Sequence, residues 1–235
     1  MFQFKQFSIQ QDKTAMKVGT DGVLLGAWAP VAHHPYAVLD IGAGTGLIAL
    51  MLAQRSGAEQ IDAIEIDGDA YEQCVENFEA SPWADRLFCY HAGLDDFMEE
   101  WEDEYDLIVS NPPFYTEDYT SGDARRDAAR FETSLPFEDL AEAAGILLSE
   151  NGMLAIIIPY KEETRFTALA REEGLYPIKI TRVKGTPESD IKRSLMAFSR
   201  HETNNIATDE LVIETARHKY TDEYITLTKD FYLKM

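Results

Sequence analysis

Between residues 37 and 160, short apolar runs rich in β-branched residues take turns with longer segments whose apolar residues recur every three or four positions. The first pattern marks buried strands and the second amphipathic helices. AVLDIG reads as a strand and TGLIALMLAQRS as a helix; QIDAIEI is followed by DGDAYEQCVENFEA, and RLFCYH by the short acidic DDFMEEW. YDLIV precedes FEDLAEAAGILLS, and GMLAIIIP precedes EETRFTALAREE. Regular βα alternation means parallel strands joined by right-handed crossovers, hence an α/β, doubly wound sheet. The end changes character. YPIKITRVKG and RSLMAFSRHE read as an antiparallel hairpin closing one edge, LVIET as a short strand, and YTDEYITLTKDFYL as a terminal helix. At the front, alternation of Phe2, Phe4, Phe7 and Ile9 suggests a hairpin or arm, with a helix from about Asp21.

The length of 235 residues suits one domain burying roughly 70–75% of its unfolded surface. The expected division is an arm over 1–36, a cofactor-binding core over 37–160, and the rest of the sheet with a final helix over 161–235. Two cysteines, Cys74 and Cys89, form no disulfide framework or zinc pattern and fit a reducing compartment. The first residues lack the apolar core of a signal peptide, and no run approaches a membrane span, so a cytoplasmic location is expected.

A net charge of −21 argues against broad electrostatic attraction to nucleic acid. The charge is uneven, however. Acids crowd Asp95 to Asp106, whereas bases gather from Lys179 to Arg193 and at Arg125, Arg126 and Arg130.

Candidate chemistry lies where strands end. The first core strand runs into Asp40-Ile41-Gly42-Ala43-Gly44-Thr45-Gly46. Glycines there permit a sharp strand-to-helix turn and close approach of a ligand. The third glycine comes one residue too early for the dinucleotide fingerprint, which points away from a pyrophosphate cradle. About 20 residues further, Glu65-Ile66-Asp67 ends the next strand. Glu65 is placed to take ribose hydroxyls, whereas Asp67 reads as the cap of the following helix. After the third strand, the position of an adenine-contacting acid falls on Gly93, leaving that contact to the Leu94 backbone or Asp95. The histidines form no metal set, and no P-loop lysine, GxSxG or HExxH is present.

Strand YDLIV ends in Ser110-Asn111-Pro112-Pro113-Phe114. Each proline fixes its own φ and pushes the preceding residue towards an extended form. The asparagine amide and the aromatic ring are thereby fixed relative to each other, which suits a flat, polar, conjugated molecule or simply a stiff surface loop. From Tyr115 to Pro136 follows a long, polar, arginine-bearing stretch.

With DIGAGTG, EID and NPPF at neighbouring strand ends, the chain resembles class I S-adenosylmethionine-dependent methyltransferases with an (N/D)PP(Y/F) motif, which have a Rossmann-like, mostly parallel seven-stranded sheet. FKQFSIQQDKTAMKVGTDGVLLGAWA, DIGAGTGLIALMLAQR, SPWADR, DLIVSNPPF and YTDEYITLTKDFYL are similar, over nearly the whole chain, to the bacterial tRNA1(Val) (adenine-37-N6)-methyltransferase family.

The resemblance implies S-adenosylmethionine (SAM) as cofactor and tRNA, at its anticodon region, as partner, with no metal and no membrane. It implies that Asp40, Gly42, Ala43, Gly44 and Gly46 line the methionine and ribose side of SAM and that Glu65 takes the ribose. Ile66, Leu94 and Asp95 belong to the same set, and Lys17, Gly19, Thr20 and Asp21 close over the cofactor near the sulfonium. Asn111, which also faces the cofactor, and the Pro112 carbonyl accept hydrogen bonds from the target amine, Pro113 stiffens them and Phe114 stacks on the flipped base. Tyr115, Arg125, Arg126 and Arg130 contact RNA, with the Lys179–Arg193 stretch as a further basic surface. Alternatives are another amino acceptor (guanine N2 in ribosomal RNA, adenine N6 in DNA, or a protein glutamine) and a non-catalytic SAM-binding module. The glycine spacing disfavours a NAD-dependent dehydrogenase.

Overall fold

The computed structural model describes residues 1–14, 16–101, 103–113 and 135–234. Strands β1 (Phe2–Gln3) and β2 (Ser8–Ile9) form the expected N-terminal hairpin, followed by helix α1 (Thr20–Trp28). Then β3 (Ala37–Ile41), α2 (Leu47–Arg55), β4 (Gln60–Glu65), α3 (Gly68–Glu79), β5 (Leu87–His91), α4 (Leu94–Glu100) and β6 (Tyr105–Ser110) alternate. Helix α5 (Phe137–Leu147) leads into β7 (Leu148–Pro159), and α6 (Glu163–Glu172) follows. The chain continues through β8 (Tyr176–Lys184), β9 (Ile191–Ser199), β10 (Ala207–Val212), β11 (Glu214–Ala216), β12 (Lys219–Tyr220) and α7 (Asp222–Thr228).

The central sheet has eight strands in the order β10-β8-β9-β7-β6-β3-β4-β5. Pairings from β7 through β6 and β3 to β5 are parallel, and β9 runs antiparallel to both β7 and β8. This is the expected doubly wound class with one correction: the β8–β9 hairpin does not close the edge. β10 adds an eighth strand outside it, pairing parallel with β8 over Ala207–Val212. The sequence of β10, ATDELV, is polar and exposed over Ala207–Glu210, so it lacks the apolar run that marks a buried strand.

Side chains alternate across the central strands, as a sheet covered on both faces requires. Val38, Leu107, Val109, Ala155 and Ile157 face a core closed by α1, α2, α3 and α7. Leu39, Ile41, Ile108, Leu154 and Ile156 face a second core closed by α4, α5 and α6. Strand order reverses between β3 and β6, and there the carboxyl ends leave a crevice where doubly wound sheets hold ligands.

Candidate active site

The glycine turn follows β3 into that crevice. Gly42, Gly44 and Gly46 have φ of 73°, 56° and 75°, in the left-handed region where a Cβ is costly. A Cβ at Gly42 or Gly44 would meet nothing within 4 Å, so these two glycines open onto free space. Gly46 is different. Its Cβ would lie 2.5 Å from the Phe78 ring and 2.9 Å from Cys74 Sγ, and its N–H donates to the Ala43 carbonyl. Gly46 therefore lets α2 approach α3 closely. Ala43 is buried, with its N–H on the Ile64 carbonyl.

Glu65 is the acceptor the sequence points to. Its Oε2 accepts the Gly44 N–H at 2.7 Å and its Oε1 the Asp67 N–H at 2.9 Å. A carboxylate has about four lone-pair sites, so it retains capacity for two hydroxyls. Asp67 caps α3 as expected, its side chain accepting from Ala70 N. Ile66 follows with 46% exposure, an apolar face beside the polar acceptor. A Cβ at Gly93 would lie 3.6 Å from Ile66 Cδ1, so the start of α4, with Leu94 and the exposed Asp95, borders the same slot.

Asp40 is fully buried rather than on the crevice surface. Its Oδ2 accepts the Ala49 N–H at 3.0 Å, inside the first turns of α2, and its Oδ1 has no partner. Burial pushes its carboxyl up to about 7; the Glu65 charge adds to that push, and the Ala49 N–H opposes it.

Ser110, buried at the end of β6, donates its hydroxyl to the Ile41 carbonyl at 2.9 Å. This bond ties the start of Asn111-Pro112-Pro113 to the start of the glycine turn. Pro112 is buried, and Asn111 and Pro113 are half-buried. Phe114, Tyr115, Arg125, Arg126 and Arg130 lie outside the described residues.

Helix α1 reaches the crevice because Gly22 and Gly26 let it pack closely on α2. Their Cβ atoms would meet Leu47 at 3.1 Å and Met51 at 2.7 Å. Lys17, Gly19 and Thr20 are exposed at its start. Asp21 is held by Arg193 of β9, with Nε–Oδ2 at 2.7 Å. The preceding arm is strapped to α3 by two buried polar residues. Gln73 Oε1 accepts the N–H groups of Asp12 and Lys13, and Asn77 binds Gln10 N, Gln10 O and the Thr45 carbonyl. Sequence reasoning missed this pair, although both sit at buried spacing with Cys74 and Phe78. It also set His91 aside; the ring stacks on Tyr71 and bonds the Ile66 carbonyl at 3.1 Å.

The expected basic stretch is largely consumed internally. Arg182 pairs with Glu163, Lys184 with Glu210 and Arg193 with Asp21, and Lys179 lies over the Trp28 ring. Lys192 remains exposed. Among the described residues no cluster of three or more histidine, cysteine or acidic side chains is placed to hold a metal ion, and no helix is long and apolar enough to cross a membrane.

Residues 23–172 match the family described as the methyltransferase small domain. A solved structure of a predicted O-methyltransferase from Agrobacterium tumefaciens superposes with TM-score 0.69 at 20% identity, covering 90% of this chain and 96% of that one. A ribosomal protein L11 methylase from Lactobacillus delbrueckii subsp. bulgaricus gives 0.54 at 18%, covering 77% of each. Both likenesses concern the fold. A Flavobacterium johnsoniae tRNA1(Val) (adenine(37)-N6)-methyltransferase is 75% identical over the full length of both chains. A Pectobacterium carotovorum protein of the same name is 42% identical over all of this chain and 94% of its own. The chain is a class I methyltransferase belonging to the tRNA1(Val) (adenine(37)-N6)-methyltransferase family.

Proposed function

We propose that the protein transfers a methyl group from SAM to N6 of adenine 37, beside the anticodon, in tRNA1(Val), and that the whole chain acts as one domain. The observation that supports the reading is the bond from Ser110 to the Ile41 carbonyl, which holds the start of the Asn111-Pro112-Pro113 segment beside the glycine turn. The residues present fit SAM. Open space over Gly42 and Gly44 admits a ligand against the backbone. Glu65 has spare acceptor sites for the ribose, and exposed Ile66 offers a face to adenine.

SAM, when bound, supplies an electrophilic methyl on a sulfonium. The chain's work is to place and polarise the acceptor. An adenine N6 lone pair is delocalised into its ring, and positive charge grows on that nitrogen during transfer. Asn111 Oδ1 and the Pro112 carbonyl are proposed to accept its N–H bonds, stabilising that charge. In-line placement lowers the entropic part of the barrier. Phe114 is proposed to stack on the extruded base, worth about 1–3 kcal/mol by analogy with other base–aromatic pairs. Lys17 to Asp21 are proposed to border the cofactor, with Tyr115, Arg125, Arg126 and Arg130 on the RNA.

Nucleoside mass spectrometry on unmodified tRNA, ribosomal RNA and DNA, each incubated with the protein and SAM, tests this. N6-methyladenosine in valine tRNA alone is expected; methylation only in another acceptor, or in none, overturns the substrate.

A further inference from the structure

Among the described residues, many basic side chains of this acidic protein are spent within the fold. Arg55, Arg86 and Arg200 bind backbone carbonyls. Lys13, Arg165, Arg182, Lys184 and Arg193 sit in ion pairs. A contrasting place is the β11–β12 hairpin, whose tip reads Arg217-His218-Lys219 with all three side chains exposed. Among the described residues neither Arg217 nor Lys219 takes part in an ion pair.

Topology puts this tip on the active-site rim. β10 runs parallel to β8, and β8 is antiparallel to β9, which is antiparallel to β7. The carboxyl end of β10 therefore points the same way as that of β6. Pro159 of β7 registers with Arg193, Arg193 with Val183, and Lys184 with Val212, so the rim is continuous from Asn111 to the hairpin. Four strand spacings of ~4.8 Å separate β6 from β10, about 19 Å. The hairpin is firmly mounted. Thr221, the cap of α7, donates its N–H to the Ile213 carbonyl and its hydroxyl to the Val212 carbonyl. Tyr220 packs on the buried Tyr224 with ring centroids 5.2 Å apart. The turn is built on His218 at φ 63°, a position glycine fills at lower cost. A basic turn on a rigid base fits phosphate better than a disposable surface loop does.

We propose that Arg217, His218 and Lys219, with Lys192 further inward on the rim, form a phosphate-binding surface that docks the backbone of a folded RNA whose target base enters at Asn111. The proposal rests on the reading of the substrate as tRNA. Lying beyond β10, four strands from β6, the hairpin meets a different part of the RNA from the reacting nucleotide. It sets affinity and orientation, not chemistry.

The test measures methyl transfer and equilibrium binding to unmodified valine tRNA across a salt series. Arg217→Glu and Lys219→Glu are compared with Arg171→Glu. Arg171 is exposed near the end of α6, towards the opposite end of the sheet, and its substitution makes the same charge change. Each hairpin variant is expected to weaken binding about tenfold and to lower the salt slope by about one. SAM-dependent stabilisation should be unchanged. Arg171→Glu should change binding less than about twofold, because charges beyond ~10 Å are screened. Arg217→Gln and Lys219→Gln should show intermediate losses. Hairpin variants that bind and methylate like Arg171→Glu, while the unaltered protein methylates tRNA, overturn the hairpin proposal alone. An unaltered protein that neither binds nor methylates tRNA overturns the substrate reading and the hairpin proposal with it.

Discussion

Two neighbouring strand ends solve opposite problems with opposite residues. After β3, glycines at φ 56–75° bend the chain back on itself and leave open space over Gly42 and Gly44. After β6, consecutive prolines hold the chain extended and leave carbonyl oxygens without competing donors. Open space and a carboxylate on one side suit a nucleoside cofactor, whereas acceptors on the other suit an amine. The two are joined by the pairing of Ile41 with Ser110 in the sheet and by the Ser110 hydroxyl on the Ile41 carbonyl. Each half should therefore be breakable without the other.

The largest effect belongs to the acceptor side. Asn111→Ala is expected to slow methyl transfer by about 10²–10³, by analogy with loss of one oriented partner elsewhere, in single-turnover assays at saturating SAM. On the glycine side, Gly46→Ala tests packing. A Cβ 2.5 Å from Phe78, together with positive φ, should cost about 3 kcal/mol of stability in urea titrations. Asp40→Asn comes next. Its buried carboxyl stands at about 7, against an ordinary value near ~3.9. The folded protein thus keeps a proton that the unfolded chain releases between those values. Stability from this group is full below about pH 4 and is lost as pH rises through about 7. Asp40→Asn should flatten that decline in melting temperatures taken from pH 4 to 8. The smallest effect is Ser110→Ala, about 1–2 kcal/mol of stability for a buried carbonyl losing its partner, with transfer reduced more than SAM affinity.

Much of this comparison could be read in the sequence. Strong apolar runs located β3 to β7, and the spacing from glycines to acid located Glu65, because both depend on local pattern. Three kinds of feature were hidden. β10 was read only as the short LVIET strand, because its start, Ala207–Glu210, carries a polar, exposed surface that mimics a loop. Gly46 looked like its neighbours, since a glycine's sequence does not say whether free space or Phe78 lies beyond it. The bases from Lys179 to Arg193 looked available because Glu163, Glu210 and Asp21, their partners, come from distant segments. Gln73 and Asn77 did carry a signal: polar residues at i and i+4 inside an apolar ridge of α3, where burial demands partners.

The most direct test of two separable halves compares SAM affinity, by calorimetry on folded protein, in Gly44→Ala and Asn111→Ala. A Cβ at Gly44 would enter the open space of the turn, so that variant should bind SAM about tenfold or more weakly, whereas Asn111→Ala should stay within about threefold of the unaltered protein. Equal losses in the two variants, or a loss confined to Asn111→Ala, would contradict the account.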